Sequence, residues 1–462
     1  MGSLAGLLKA RGVRVTGSDE GLYPPMSSAL ERWGIRVREG FRAEHVLEDP
    51  PDLVVIGNAV RPDNPEARAA IDEGLPYQSF PDALQQLAMA GRHSVVVTGT
   101  HGKTTTTSLL GSLLLRTGCD PSLLVAGYAL DFEGSFREGG GDHFVVEGDE
   151  YDTAFFDKTP KFLHYGARTA ILTSVEFDHA DIYRDLDHVK QAFRSLVASL
   201  PGDGALIAAL NHEGVRDVVR EAPCRVVGYG LSEEGDPGWR AEGLEADAEG
   251  TSFELISPAA EPRRVRVPLH GRFNVENALA ALATVASLGV PVDEAAAALE
   301  SFAGVKRRQE ERGEAAGVLV IDDFAHHPTA VRGSLEAMKA RFPERRLVAV
   351  FEPRTNTSRR AVFQQAYAAA FEDADRVVIS ALPSGPVYSA TGEVTEFFSP
   401  EQLAQDLRAR GTDALSLGGP DAVVSHLASE SRPGDVVLTM SNGAFGNIWE
   451  RLLEALERRG SR

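Results

Sequence analysis

The residues whose types most clearly suggest chemistry form one short run, 99–107, which reads GTHGKTTTT and follows the β-branched segment 94–98. Glycines let backbone N–H groups turn toward phosphate oxygens, a lysine brings a positive charge, and a threonine hydroxyl is a ligand for Mg²⁺. The first glycine lies three residues before Gly102, closer than in the general phosphate-binding loop, which favours a shorter variant. The alternative is a glycine turn capped by threonines, but a lysine at that helix start would stabilise nothing. The run predicts a loop that binds a nucleotide triphosphate.

Two further polar groups follow predicted strands. Glu147 ends the apolar run 144–146, and His179 lies shortly after a strand predicted at 169–173. The carboxyl ends of parallel strands meet at one edge of a sheet, where α/β proteins carry ligands. Carboxylate oxygens suit Mg²⁺, and a cation beside a triphosphate neutralises the charge that develops during phosphoryl transfer. Glu147 is therefore a predicted Mg²⁺ ligand with Glu150 as a second choice, and a solvated acidic loop is the alternative. The position of His179 near the phosphate loop favours a functional role over the alternative of a structural histidine.

The elements that must position these groups alternate between helical and extended patterns along the whole chain. A small α/β layer opens the chain, a central parallel sheet follows, and three short strands without helices between them form an antiparallel appendage before a helix near Asn274. A third α/β series ends the chain. The predicted helices are 3–10, 26–33 and 65–73, and the predicted strands are 13–17, 52–57, 94–98, 143–147, 169–173, 239–246, 251–256, 263–267, 318–322, 346–351, 376–380 and 435–440.

The length and composition bound the fold class and the partners. A chain of 462 residues favours about three domains, and we place them at 1–91, 92–302 and 303–462. The formal net charge of −20 argues against a nucleic-acid partner, and two isolated cysteines favour reduced thiols rather than disulfides. The sequence shows no segment long enough to span a membrane and no signal peptide, so a cytoplasmic protein is expected.

The first domain begins unusually. A dinucleotide-like βαβ unit opens with a strand and a glycine turn, whereas this chain opens inside its first helix. We therefore expect a truncated Rossmann-like domain that lacks its first strand. The central domain is predicted as a phosphate-loop domain with a parallel sheet, and the third domain as a second Rossmann-like unit.

Residues 99–105 (GTHGKTT) resemble the ATP-binding loop of the Mur ligases, and similar positions follow through all three predicted domains. The resemblance implies an ATP-dependent ligase that activates a carboxylate as an acyl phosphate and joins it to an amine, with ATP and Mg²⁺ as cofactors. It implies a UDP-sugar-binding first domain and an amine-binding third domain. The catalytic residues that it implies are Lys103, Glu147 and His179, and the metal ligands are Thr104, Glu147 and His179.

Further segments resemble motifs with which the family binds the nucleotide. Residues 270–277 (HGRFNVEN) resemble the turn whose asparagines approach the adenine, although a helix cap at Asn274 is an alternative. Residues 305–308 and 321–328 resemble the segments that bind phosphate oxygens and ribose hydroxyls. The ATP-binding residues implied are Gly99, Thr100, His101, Gly102, Lys103, Thr104, Thr105, Asn274, Asn277, Arg308, Asp323 and His326.

The third domain suggests the substrates. Residues 351–357 (FEPRTNT), 176–181 (EFDHAD) and 440–443 (MSNG) resemble the branch that joins the murein tripeptide L-alanyl-γ-D-glutamyl-meso-diaminopimelate to UDP-N-acetylmuramate. The substrate-binding residues implied are Arg354, Asn356, Thr357, Ser441 and Asn442. The carbamylated lysine of some relatives is not assigned, because Lys190 lies out of register. The alternatives are a UDP-N-acetylmuramate–L-alanine ligase, a folylpolyglutamate synthetase-like ligase and a non-catalytic nucleotide-binding module.

Overall fold

The computed structural model of the chain describes residues 1–22, 26–231 and 233–460. We keep the predicted domains as names for regions of the chain, and their boundaries stay a prediction. The first domain contains two separate two-stranded parallel sheets, β1 with β2 and β3 with β4. Its elements are α1 (Gly2–Ala10), β1 (Thr16–Asp19), α2 (Met26–Arg32), β2 (Arg36–Glu39), α3 (Glu44–Leu47), β3 (Val54–Ile56), α4 (Pro65–Asp72), β4 (Tyr77–Ser79) and α5 (Phe80–Leu84), followed by a π-helical turn (Gln85–Met89).

The central domain is built on a ten-stranded sheet. Its elements are β5 (His93–Thr98), α6 (Lys103–Arg116), β6 (Ser122–Ala129), β7 (Gly134–Arg137), β8 (His143–Glu147), β9 (Asp152–Ala154), β10 (Asp157–Pro160), β11 (Thr169–Leu172), α7 (Leu186–Ser199), β12 (Ala205–Ala209), α8 (Glu213–Val219), β13 (Arg225–Gly230), β14 (Trp239–Ala246), β15 (Thr251–Ser257), β16 (Ala260–Val267), α9 (Arg272–Ser287) and α10 (Val292–Leu299). The strand order is β16-β15-β14-β13-β12-β11-β5-β8-β6-β7. The strands from β14 to β6 in this order pair in parallel. The three strands β14, β15 and β16 pair antiparallel with one another and form the predicted appendage, and β7 pairs antiparallel with β6 at the other edge.

The third domain is a six-stranded sheet with helices on both faces. Its elements are β17 (Glu310–Ala315), β18 (Val318–Asp323), α11 (Pro328–Arg341), β19 (Leu347–Phe351), α12 (Gln364–Ala370), β20 (Arg376–Ser380), α13 (Pro400–Ala409), β21 (Asp413–Leu417), α14 (Pro420–Glu430), β22 (Val436–Met440) and α15 (Ile448–Gly460). The order is β17-β18-β22-β19-β20-β21, and only the edge pair β17–β18 is antiparallel.

The two hydrophobic cores of the third domain explain why its strands have apolar sequences. In the third domain, Leu319 and Ile321 of β18 lie in one core and Val318 and Val320 in the other, because successive side chains of a strand point to opposite faces. A strand covered on both faces is therefore apolar throughout. Buried leucines of α1 belong to the same core as β5 and α6, so the first domain packs against the central sheet.

Most of the predicted elements lie where the sequence placed them, and the fold is the predicted α/β architecture. The first strand is the clearest discrepancy, because it was predicted at 13–17 and lies at Thr16–Asp19. Val13, the first residue of the predicted strand, has an exposed side chain. In the part of the chain that the structure describes, no helix combines the length and apolar character needed to cross a bilayer.

Candidate active site

The phosphate loop lies between β5 and α6. Gly99 adopts φ +126°, and Gly102, at φ +80°, caps the amino end of α6. A Cβ atom at Gly99 would clash with Thr173, and one at Gly102 would clash with the side-chain amide of Asn277. The tight turn therefore requires glycine at both positions, and it leaves backbone N–H groups at the amino end of a 14-residue helix.

We expect the Gly99→Ala variant to bind ATP at least about tenfold more weakly, because a side chain at this φ costs about 1–3 kcal/mol and also collides with Thr173. Titration calorimetry with a non-hydrolysable ATP analogue measures the change. Gly118→Ala is the matched control: Gly118 also has a positive φ, but an added Cβ meets no atom within 4 Å. Equal nucleotide affinity in the two variants would contradict this role of Gly99.

Lys103, the first residue of α6, points back into the loop. Its Nζ donates to the carbonyl oxygens of Gly99 at 2.7 Å and Thr100 at 3.2 Å, and it lies 2.8 Å from a carboxylate oxygen of Glu150. Burial alone would lower the pKa of the ammonium group, but Glu150 and Asp149 raise it above its usual value. The side chain therefore supplies a permanent positive charge.

Glu147 is held at the carboxyl end of β8. Thr104 Oγ1 donates to one of its carboxylate oxygens at 2.9 Å, and the backbone N–H of Ala126 donates to the other at 2.9 Å. Burial raises the pKa of Glu147, while Ala126, Lys103 and Thr104 partly offset that effect. The predicted metal ligands Thr104 and Glu147 are thus in direct contact.

Glu150 connects the two halves of the predicted site. His179 Nε2 lies 3.2 Å from the same carboxylate that Lys103 contacts, and the His179 ring packs on Tyr151 with a centroid separation of 4.3 Å. Although burial opposes both changes, Lys103 and His179 lower the pKa of Glu150 to about 2, and Asp178 and Glu150 raise the pKa of His179 to about 9. An imidazole binds a metal only in its neutral form, so Mg²⁺ at His179 would have to displace a proton.

The predicted adenine-binding residues form a buried network. Asn277 Nδ2 donates to Asn274 Oδ1 at 3.1 Å, and Asn277 Oδ1 accepts from Thr106 of α6 at 3.0 Å. Asn274 Nδ2 donates to the carbonyl of His270 at 2.9 Å. These amides therefore tie the start of α9 to the helix that begins at the phosphate loop.

The third domain reaches the same site through Arg308 and Asp323. Arg308 Nη2 lies 3.3 Å from Thr104 Oγ1, and the guanidinium lies over the Phe324 ring at 4.4 Å. Asp323 accepts from the backbone N–H groups of Gln309 and Ala325, although burial raises its pKa. A nucleotide held by these groups would contact both domains.

One cleft of about 1520 Å³ collects nearly all of these groups. Residues of all three domains line it, including Ser3 and Asn58 of the first domain. Gly99 does not line this cleft. The predicted nucleotide and metal residues that line the cleft are Thr100, His101, Gly102, Lys103, Thr104, Thr105, Glu147, His179, Asn274, Asn277, Arg308, Asp323 and His326.

The five predicted substrate residues lie at the carboxyl ends of β19 and β22. Arg354 is exposed and packs against Gly443, and Asn442 lines the cleft with an Oδ1 atom that has no hydrogen-bond partner among the described residues. Ser441 donates to the buried Glu352 carboxylate at 2.5 Å. Asn356 and Thr357 do not line the cleft; both contact the segment that carries His179.

A second group of metal-binding types lies beside the loop. Nitrogen and oxygen atoms of His101, Glu176 and His327 all lie within 4.8 Å of one another. However, Thr329 already donates its backbone N–H to His327 Nδ1, and its hydroxyl donates to Glu176 at 2.6 Å. Both His327 Nδ1 and the Glu176 carboxylate therefore already have a hydrogen-bond partner in Thr329.

Glu176 and Phe324 lie within motifs that the sequence shows, but no role was predicted for either residue. Glu176 accepts from His101 of the phosphate loop as well as from Thr329, and Phe324 lies under the Arg308 guanidinium. Burial opposes the change, but His101, Thr329 and His327 lower the pKa of Glu176 to about 2. The available signal was position alone, because each residue lies within three positions of a predicted site residue.

The fold, with a cleft lined by residues of all three regions of the chain, is that of a multidomain α/β protein. Family models match almost the whole chain: "Mur ligase family, catalytic domain" at residues 1–92, "Mur ligase middle domain" at 97–285 and "Mur ligase, glutamate ligase domain" at 307–443. The chain belongs to the Mur ligase family. Enzymes of this family are ATP-dependent amide ligases, and the chain is an enzyme of that class.

Individual relatives are similar over their full lengths. The UDP-N-acetylmuramate–L-alanyl-γ-D-glutamyl-meso-2,6-diaminoheptandioate ligase of Escherichia coli (strain K12) is 38% identical, over 99% of this chain and 96% of that protein. A UDP-N-acetylmuramate–L-alanine ligase of Caldanaerobacter subterraneus is 32% identical, over 98% and 95%. The crystal structure of a murein peptide ligase from Psychrobacter arcticus 273-4 is 34% identical and aligns with a TM-score of 0.73, over 99% and 96%.

Proposed function

We propose that the chain joins the tripeptide L-alanyl-γ-D-glutamyl-meso-diaminopimelate to UDP-N-acetylmuramate, with ATP and Mg²⁺, and releases ADP and phosphate. The full-length similarity to the tripeptide ligase of Escherichia coli supports this choice. The observation that carries it is the position of Arg354. This guanidinium makes no hydrogen bond or ion pair within residues 1–22, 26–231 and 233–460, and it lies outside the nucleotide cleft, although the next residue, Thr355, lines that cleft.

The distance between an amine and its carboxylates distinguishes the candidate substrates. L-Alanine carries its only carboxylate on the carbon that bears the reacting amine, so a cation that recognises it must lie inside the reaction cleft. The tripeptide carries carboxylates on its second and third residues, far from the amine of its first. An unpaired guanidinium beyond the cleft therefore suits the longer substrate, because arginine pairs with carboxylates in a two-pronged geometry.

The residues present fit a nucleotide and a hard cation. The glycine turn leaves no room for a Cβ atom, and Thr104, Glu147 and His179 would hold Mg²⁺ beside Lys103. When bound, Mg²⁺ would neutralise charge on the phosphate oxygens. Lys103 would stabilise the transferring phosphoryl group, and Arg308 would contact it from the third domain. Closure of the third domain would keep water from the activated intermediate.

The reaction has two chemical steps. In the first, a carboxylate oxygen of the muramoyl group bonds to the γ-phosphorus of ATP, and the bond to the bridging oxygen breaks, which releases ADP and leaves an acyl phosphate. In the second, the tripeptide amine bonds to the acyl carbon and phosphate departs with the electron pair of its bond. The amine must also lose a proton to a base within reach.

A phosphate-release assay with UDP-N-acetylmuramate and a series of amines tests the proposal. We expect kcat/KM for the tripeptide to exceed that for L-alanine by about 10- to 100-fold, since the additional contact of a carboxylate with Arg354 provides about 1.5–3 kcal/mol. Faster use of L-alanine would identify the alternative ligase. ATP binding without phosphate release in the presence of UDP-N-acetylmuramate would favour a non-catalytic module.

Arg354→Ala should raise the KM for the tripeptide by about 10- to 100-fold and leave kcat within about twofold, because a hydrogen-bonded charge contributes about 1.5–3 kcal/mol to binding. Steady-state kinetics at saturating UDP-N-acetylmuramate and ATP measure both constants. Arg432→Ala is the control, because Arg432 is also exposed but precedes β22, at the opposite edge of the sheet. An unchanged tripeptide KM in Arg354→Ala would refute this assignment of Arg354.

A further inference from the structure

Residues 176–181, which we call the histidine segment, belong to the central domain but are enclosed by the third domain. Five of the six residues in this segment contact the third domain, and the exception is His179. The contacting residues are Glu176, Phe177, Asp178, Ala180 and Asp181. The segment therefore depends on a neighbouring domain for much of its conformation.

The first half of the segment contacts the start of α11. Thr329 Oγ1 donates to Glu176 at 2.6 Å, and His327 Nε2 lies 3.1 Å from the carbonyl oxygen of Phe177. His326 Nε2 lies 3.7 Å from a carboxylate oxygen of Asp178. These contacts come from the same strand-to-helix turn that carries Asp323.

The second half contacts the loop that follows β19. The backbone N–H of Ala180 donates to Thr357 Oγ1 at 3.0 Å, and Asn356 Nδ2 donates to Asp181 at 3.0 Å. The carbonyl of Ala180 accepts from Arg360 at 3.0 Å and from the backbone N–H of Ala390 at 2.9 Å. Both polar groups of the Ala180 backbone are thus satisfied by the third domain.

The His179 side chain, in contrast, contacts the central domain. The φ of His179, +52°, is a left-handed conformation, which is unfavourable for a residue with a side chain and persists only where the surroundings enforce it. In this conformation the ring is directed at Glu150 and stacks on Tyr151, beside the phosphate loop. The Asp178 carboxylate accepts from the His179 backbone N–H at 2.7 Å, and third-domain contacts hold the residues on both sides of His179.

We propose that Asn356 and Thr357 are positioning residues that hold His179 in its metal-binding orientation. This role rests on the proposed function and differs from the substrate contact predicted for them from the sequence. The loop that carries Arg354 then has two tasks, because it recognises the amine substrate and also completes the site of the first phosphoryl transfer.

Thr357→Val tests the proposal, because it removes the hydroxyl that accepts from Ala180 while it preserves the shape of the side chain. Two readouts are required: the affinity for Mn²⁺ with a non-hydrolysable ATP analogue, measured by electron paramagnetic resonance, and the acyl phosphate trapped from UDP-N-acetylmuramate and ATP without tripeptide. We expect both to fall by about tenfold, with the tripeptide KM within about twofold of the wild type. Asn356→Ala is the second variant and should act in the same direction.

Thr412→Val is the matched control, because it also removes a hydroxyl from the third domain, but Thr412 precedes β21, at the opposite edge of the sheet from the loop that follows β19. It should retain wild-type Mn²⁺ affinity. Wild-type Mn²⁺ affinity in both folded test variants would overturn the positioning role, and so would a rise in tripeptide KM as their only defect. If the wild type forms no acyl phosphate from UDP-N-acetylmuramate, the proposed function fails, whereas weaker Mn²⁺ binding in Thr357→Val would still support the positioning role.

Discussion

Replacing Lys103 with alanine should reduce phosphate release by at least about a thousandfold, which corresponds to roughly 4 kcal/mol of lost transition-state stabilisation. The ammonium group is fixed by two carbonyl oxygens of the phosphate loop and by Glu150, so it needs no reorganisation when charge develops on the transferring phosphoryl group. Steady-state phosphate release at saturating substrates measures the effect. We expect ATP binding to weaken less than turnover, because the loop backbone still contacts the phosphates.

The fold must be examined separately, since the Lys103 side chain is only 13% exposed and pairs with a buried carboxylate. The alanine variant leaves Glu150 with His179 as its remaining charged partner, so thermal unfolding should show some loss of stability. The double variant Lys103→Ala/Glu150→Gln also removes the buried carboxylate that has lost its lysine partner, and it should regain stability without regaining turnover. Near-normal turnover in either variant would contradict the role of Lys103.

The phosphate loop could be predicted from the sequence because its determinants are local. Gly99 and Gly102 are required by the backbone of the turn itself, and Lys103 acts within four residues of the carbonyl oxygens that it contacts. Apolar β-branched runs such as the one in β5 predict a strand that is covered on both faces. The edge strand β17 is charged and the edge strand β21 is only partly buried, so neither gave a comparable signal and neither was predicted.

The relative importance of the acidic residues depended on distant contacts that the sequence does not reveal. Glu150 was a second choice, yet its carboxylate lies between Lys103 and His179, 47 residues before it and 29 residues after it. Glu147 was chosen because it ends a strand, and there it meets Thr104 and Ala126. The site assignments stay predictions. The cytoplasmic location, inferred from the lack of a membrane segment and a signal peptide in the sequence, and the absence of a nucleic-acid partner, inferred from the net charge, stay predictions as well.

The substrate loop also shows a limit of prediction from sequence, because its neighbouring residues do not share one role. Residues 354–357 form one motif in the sequence, but the structure divides them between two surroundings. Arg354 is exposed against Gly443, whereas Asn356 and Thr357 face the histidine segment. A motif records which residues occur together, and only the packing of two domains determines which of them face the substrate.

Glu147→Gln should also reduce turnover by about a thousandfold, but its effect on stability should have the opposite sign from that of Lys103→Ala. Glutamine keeps the size of the side chain and can still accept from the Ala126 backbone, while it removes the negative charge that would bind Mg²⁺. Burial raises the pKa of Glu147, which means that the folded protein disfavours its ionised form. Removing the charge should therefore leave the free energy of unfolding unchanged or increase it.

Phosphate release across a range of Mg²⁺ concentrations and thermal unfolding of the same samples measure the two effects. Added Mg²⁺ should restore little of the lost activity, because a neutral amide contributes far less to cation binding than a carboxylate. Glu221→Gln is the control, since this glutamate is exposed on the surface and the same change there should affect neither quantity. A Glu147→Gln variant that unfolds at lower temperature and keeps its turnover would show that this carboxylate serves the fold and not the reaction.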